Sequence, residues 1–209
     1  MSLRRCVDSV NASELPRGYP LALAYVDGAV SEPHGNPRLV RARMGNKCRI
    51  ATVTVLGNLN THICDCEKGD LTPADAAKWA HDKRKARKGF PTIYCIDSQR
   101  FAVIHECGKL GLRLGRDYEL FVANYDNVAT VPSYAVAKQY ADSTLTHGDY
   151  DISVARPYWR GVDPRWYRLK APLRRNLTRD LAPAKKLPLA QRKSLFAFLI
   201  SIIKKLLGL

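Results

Sequence analysis

Apolar and polar positions along the first three quarters of the chain fall into short, punctuated blocks. Residues 21–27 form an apolar run that ends in Asp27-Gly28, residues 48–56 are rich in β-branched side chains, and residues 62–66 follow closely. Each block reads as a strand. Leu71-Thr72-Pro73-Ala74-Asp75 then opens a helix, with Thr72 as N-cap and Pro73 in the first helical position. That helix is expected to run to about residue 88 and stop at Gly89, with a basic, solvated last turn over residues 83–88. Strands follow at residues 91–96, 118–125, 135–140 and 150–154, and Ser98 caps a second helix through about residue 110.

Strands alternating with helices predict parallel pairing and an α/β fold. A (β/α) TIM-like barrel and a doubly wound sheet both fit that alternation. The chain has no GxGxxG and no GxxxxGK[ST], so the nucleotide-binding versions lose support. The connections between the first three strands are short, so a barrel is expected to be incomplete or to lack some of its helices.

The pattern changes near residue 157. Pro157, Pro164, Pro172, Pro183 and Pro188 punctuate an extended, Arg/Lys-rich stretch. Residues 189–209 read as a helix on which Ser194, Ser201, Lys205 and Gly208 form a narrow polar stripe. Three regions are therefore expected: a barrel over residues 1–160, a basic Pro-rich linker over 161–188, and an amphipathic docking helix over 189–209. The helix is too short, and too interrupted by Lys204-Lys205, to span a bilayer. Its wide apolar face needs a partner, and docking on a protein is favoured over a membrane surface.

Charge sharpens the division. The net charge is +15, but residues 1–155 carry 20 Lys/Arg against 17 Asp/Glu, whereas residues 156–209 carry 14 against two. So basic a segment suits an anionic partner: nucleic acid, a membrane surface, an acidic wall polymer or an acidic protein face. No nucleic-acid motif accompanies the charge, which places nucleic acid last. The six cysteines lie mostly inside apolar blocks and read as reduced, buried thiols. His62, Cys64 and Cys66 would share a strand face, yet no CxxC or HxxxH pair completes a site, so no metal and no cofactor is expected. Arg4 and Arg5 are followed by polar residues rather than an apolar stretch, so no cleaved signal peptide is expected.

The candidate chemistry lies in His62-Ile63-Cys64-Asp65-Cys66-Glu67. Alternate residues of a strand share a face, so Asp65 and Glu67 point together at its C-terminal end. Two acids so placed can have their pKa values pushed apart, one staying protonated while the other stays charged, which is the division of labour in glycoside hydrolysis. The plainer reading is a strand end entering a polar loop with both acids solvated.

Several ordered pieces resemble the glycoside hydrolase family 25 lysozymes, and more closely the family 25-like barrel domains of actinobacteria and their phages. Asp27 in Ala24-Tyr25-Val26-Asp27-Gly28 resembles the first-strand aspartate, and Asp65-Cys66-Glu67 resembles the family's Asp-x-Glu. Pro91-Thr92-Ile93-Tyr94 is similar to the next, Tyr-bearing strand, Phe121-Val122-Ala123-Asn124-Tyr125 to Trp-x-Ala-x-Tyr, and Gln139-Tyr140-Ala141 to Trp-Gln-Tyr. Asp151 resembles the late aspartate. The likeness covers residues 18–160 and sits at strand ends, where a barrel keeps its active site.

The resemblance implies cleavage of the muramic acid to glucosamine bond of peptidoglycan. Glu67 would protonate the leaving oxygen, Asp65 would steady charge beside it, and Asp27 and Asp151 would line the sugar site. Tyr94, Tyr125, Gln139 and Tyr140 would contact the sugar. This chemistry needs Glu67 in a drier pocket than Asp65. Phe121 and Lys138 stand where the family usually has Trp. The implied setting is a tail-associated protein of a phage virion, made in the cytoplasm and acting at the host envelope. Its partners would be cell-wall glycan and, through residues 156–209, other virion proteins. The rival expectation is a non-catalytic tail protein that keeps a degenerate barrel and is anchored by its terminal helix.

Overall fold

A computed structural model of the chain describes residues 2–29 and 35–164. Eight strands close into a barrel in chain order: β1 (Arg4–Asp8), β2 (Leu21–Tyr25), β3 (Arg49–Thr54), β4 (Ile63–Cys66), β5 (Thr92–Ile96), β6 (Glu119–Ala123), β7 (Ala137–Ala141) and β8 (Asp151–Ala155). Each neighbouring pair from β1 to β7 is parallel. β8 runs antiparallel to both β7 and β1 and seals the ring. The C-terminal ends of seven strands and the start of β8 therefore share one rim, here called the mouth. The barrel is complete, contrary to the shortfall the short connections suggested. Helices α1 (Pro37–Met44), α2 (Pro73–Lys85), α3 (Arg100–Lys109) and the single-turn α4 (Ser143–Thr146) follow β2, β4, β5 and β7. The β1–β2, β3–β4 and β6–β7 connections carry no α-helix among the described residues.

β1 is the strand that hydrophobic patterning does not predict. Its inward positions are Arg4, Cys6 and Asp8, so both ends of its core-facing stripe are charged. Arg4 reaches the base of the barrel and meets the buried Asp163, while Asp8 reaches the mouth.

Two helix expectations need correction. Lys83 does not belong to a solvated last turn: its side chain is buried and its ammonium donates to the carbonyls of Leu59 (2.8 Å), Thr61 (2.5 Å) and Lys88 (2.7 Å). Three carbonyls match the three donors of an ammonium, and burial lowers the group to about 8. The second helix is not capped by Ser98. A 3₁₀ turn over Asp97–Gln99 leads in, α3 starts at Arg100, and its first turn has no side-chain cap. Thr72 does cap α2, accepting from the Asp75 amide at 3.2 Å.

Side chains alternate between two cores, as the strand period of two requires. Leu21, Leu23, Val53, Ile63, Phe121 and Trp159 fill the interior. Outside it, Cys64, Cys66, Ile93, Cys95 and Leu120 pack against Trp79 of α2 and Val103 and Cys107 of α3. All six cysteines are buried and unbridged. An aromatic column runs up the axis: Trp159 meets Phe121 edge-on with centroids 5.6 Å apart, and Phe121 meets Tyr94 at 4.8 Å. Trp159 anchors the column by donating its indole N–H to Thr92 Oγ1 at 2.8 Å. Val162 and Asp163, which the sequence reading assigned to the linker, are buried with it. The rest of the expected linker and the whole of the expected helix at 189–209 lie outside the described residues.

Candidate active site at the barrel mouth

The strand period brings four acids to the mouth from three parts of the ring. Asp8 ends β1 and is the register partner of Asp151, which opens β8. Asp65 lies on the inward face of β4, and Glu67 follows one pleat further out. A small open cleft is bounded by Asp8, Tyr25, Asp65, Tyr94 and Gln139, with Phe121 beneath. Among the described residues its lining contains no Lys, Arg or His.

Burial and mutual repulsion govern the charge of this group. Burial, then Asp151, Asp65 and Glu67, push the Asp8 carboxyl well above the usual carboxylate range. Burial raises Asp65 to about 8, with Glu67 and Asp70 adding to the effect. Asp151 rises to about 6, chiefly by burial and then by Asp142; the amide of Gln139, donating to its Oδ2 at 2.5 Å, holds it back. Glu67 is raised by burial too, opposed by a hydrogen bond from the Tyr94 hydroxyl. Tyr94 lies 3.5 Å from the hydroxyl of the half-exposed Tyr125. Tyr25 is raised well above the ordinary phenol range by burial and by all four acids.

The condition set by the Glu67-as-acid reading is met in reverse. Asp65 is only 3% exposed, whereas Glu67 stands at the wetter edge. Burial therefore favours the protonated form at Asp65 more strongly than at Glu67. A protonated acid beside an ionisable one, in a cleft with tyrosine hydroxyls, is equipped for general acid–base work.

Not every candidate reaches the cleft. Asp27 sits beyond the end of β2, and the aspartate on the first strand of the ring is Asp8. Asp27 Oδ1 accepts from the amides of Val55 (2.8 Å) and Leu56 (3.3 Å), and Oδ2 from Thr54 Oγ1 (2.5 Å). It ties the end of β2 to the turn after β3. The next residue, Gly28, has φ +78°, and a Cβ there would fall 2.3 Å from Val55 Cγ2. Asp27→Ala is expected to cost about 1–2 kcal/mol in urea denaturation through these lost hydrogen bonds, with the cleft unaltered. Tyr140 occupies the irregularity between Gln139 and Ala141 and does not line the cleft. Lys138 is buried and bound to both Asp126 oxygens (2.6 and 2.7 Å), bracing the β6–β7 connection.

Asp8 and Tyr25 were missed as site candidates. The signal for Asp8 was available in the alternation Arg4, Cys6, Asp8, but only a closed ring shows that face to be interior. His62 lies apart from the mouth and is lowered to about 4 by burial, Lys83 and Arg49. Among the described residues no group of His, Cys, Asp or Glu is arranged to hold a metal ion.

No family model and no curated protein matches the chain. Two solved structures share features of its backbone. One is an uncharacterized protein of B. stearothermophilus, 11% identical, with a TM-score of 0.48, covering 73% of this chain and 96% of its own. The other is GHIP, a glycosyl hydrolase 25 and virulence factor of Streptococcus pneumoniae participating in host cell invasion. It is 11% identical with a TM-score of 0.44, covering 76% of this chain and 89% of its own.

Proposed function

We propose that the mouth of the barrel is a glycosidase site of the family 25 kind, acting on cell-wall peptidoglycan. The observation that carries this reading is the convergence of Asp8, Asp65, Tyr25 and Tyr94 around one cleft, with Glu67, Asp151 and Tyr125 near enough to act on them electrostatically. The barrel is read as a variant (β/α) TIM-like barrel, with its site at the C-terminal strand ends. Asp65 and Glu67 share one proton, because two close acids resist ionising together. Asp65 stores it in the dry interior, and Glu67, nearer solvent, delivers it to the leaving oxygen. Asp8 takes the place given to Asp27 in the sequence reading and lines the sugar site with Asp151, while Gln139 fixes Asp151. Tyr94 and Tyr125 present hydroxyls and ring faces to the sugar.

The wider setting belongs to the same proposal: a tail-associated component of an actinobacterial phage virion, made in the cytoplasm and acting at the host envelope. Residues 156–209 would engage other virion proteins. The support is the order of the sequence motifs and the strong positive charge of that segment.

A second reading, a barrel kept for wall binding or assembly, is favoured by one observation. Phe121 is fully buried and Lys138 is tied to Asp126, so neither offers an aromatic platform for a sugar ring. Release of reducing ends from purified actinobacterial walls separates the two. Glu67→Gln is expected to lower the rate by at least about 100-fold while circular dichroism stays unchanged. A folded wild-type protein that releases nothing would leave the non-catalytic reading standing.

A further inference from the structure

The mouth gathers four acids, and among the described residues no cation lines the cleft beside them. The neighbours that perturb Asp8 and Asp65 are all acids, with no cation among them. Geometry says the same independently of charge. Asp8 Oδ1 and Asp65 Oδ1 are buried without a hydrogen-bond partner, on side chains of residues 6% and 3% exposed. Ser153 Oγ is a third such atom, on a residue with no exposure at all. Ser153 is in register with Cys6 on β1 and Gln139 on β7, both inward-facing, so it shares their face. Buried polar atoms ordinarily find partners, and the two carboxyl oxygens at the mouth, with Ser153 one layer beneath them, mark a place where a small polar group is bound.

An ionised carboxylate only accepts hydrogen bonds. A bound cation with N–H donors would hold both acids as carboxylates, pair with their oxygens and relieve the repulsion among them. A metal ion would neutralise the carboxylates, but among the described residues no group of His, Cys, Asp or Glu is arranged to hold one. An organic ammonium needs no fixed coordination geometry and brings three N–H donors. An N-acetyl group would bring one N–H and no charge, so it would leave the acids protonated and one of the two orphaned oxygens without a partner.

We propose that the glycan taken by this cleft carries a free amine, a 2-amino-2-deoxy sugar without its N-acetyl group, whose ammonium sits against Asp8 and Asp65. This rests on the glycosidase reading of the same cleft and narrows its substrate class. The ammonium stabilises both acids as carboxylates, so protons held in the free protein leave as it binds.

The test is titration calorimetry on the full chain at pH 6.5, in two buffers of different ionisation enthalpy. The probes are a pentamer of glucosamine and a pentamer of N-acetylglucosamine. The glucosamine pentamer is expected to bind at least about tenfold tighter and to release protons. Asp8→Asn, checked by circular dichroism, is expected to bring the affinity ratio close to one. Equal or tighter binding of the N-acetylated pentamer overturns the proposal. So does a preference that survives Asp8→Asn, or saturable calcium or magnesium binding that displaces the amine. If neither pentamer binds, the proposal falls. Wall cleavage measured alongside then shows whether the glycosidase reading falls with it.

Discussion

Asp163→Asn is expected to destabilise the barrel by about 3–5 kcal/mol, the loss typical of breaking a buried ion pair from one side. The Asp163 side chain is wholly buried. Arg4 donates to it twice, at 2.9 and 2.7 Å, the Trp159 amide donates at 2.7 Å, and Arg49 lies 3.3 Å away. An asparagine keeps the shape but turns an NH₂ toward groups that themselves donate. The damage would spread up the axis, because Asp163 holds the Trp159 backbone and Trp159 underpins Phe121 and Tyr94. Urea denaturation followed by tryptophan fluorescence reads the loss directly. A change under about 1 kcal/mol would show that Trp159 packing holds the base without the ion pair. The same reasoning predicts that a chain cut after residue 160 folds poorly, since it lacks Val162 and Asp163.

That base explains much of what local patterning could and could not read. Seven strands were legible from their apolar and β-branched positions and the turn residues that separate them. β1 was not, because Arg4 and Asp8 interrupt its inward stripe, and their surroundings come from far along the chain: Asp163 pairs with Arg4 at the base, and Asp151 stands beside Asp8 at the mouth. Closure through an antiparallel β8 is likewise a long-range property. At the site, the period of two rightly aims Asp65 at the interior, with Glu67 beside it. Which of them is drier depends on burial set by other strands, and no local rule contains that. Asp27 is an acid ending an apolar run, but the turn after β3 folds back on it and engages both its oxygens. Lys83 was misread for a similar reason. A lysine among basic neighbours looks solvated until three carbonyls from elsewhere converge on it.

Asp65→Asn is expected to make the protein more stable at pH 8 and to flatten its dependence on pH. The folded-state value of about 8 stands far above the unfolded value of about 3.9. Between those values the folded protein binds the extra proton, so the stability this group contributes is full below pH 4 and is lost as the pH climbs through 8. A shift of that size corresponds to roughly 2–5 kcal/mol once relaxation around a buried acid is allowed for. Asp8 and Glu67 are shifted the same way, and Asp151 adds its share in the window up to about 6. Asp117 and Asp126, held low by Arg116 and Lys138, oppose the trend only weakly and only on strong acidification, because they lie near the surface. Wild-type urea midpoints should therefore fall steadily from pH 5 to pH 8, and those of Asp65→Asn should fall much less. A wild-type midpoint that rises over that interval would mean that Asp65 is ionised and balanced in the folded chain, and the store of a proton at the mouth would be lost as a basis for its chemistry. A falling midpoint that the substitution removes would locate the stored proton on Asp65, beside the acid that stands open to a substrate.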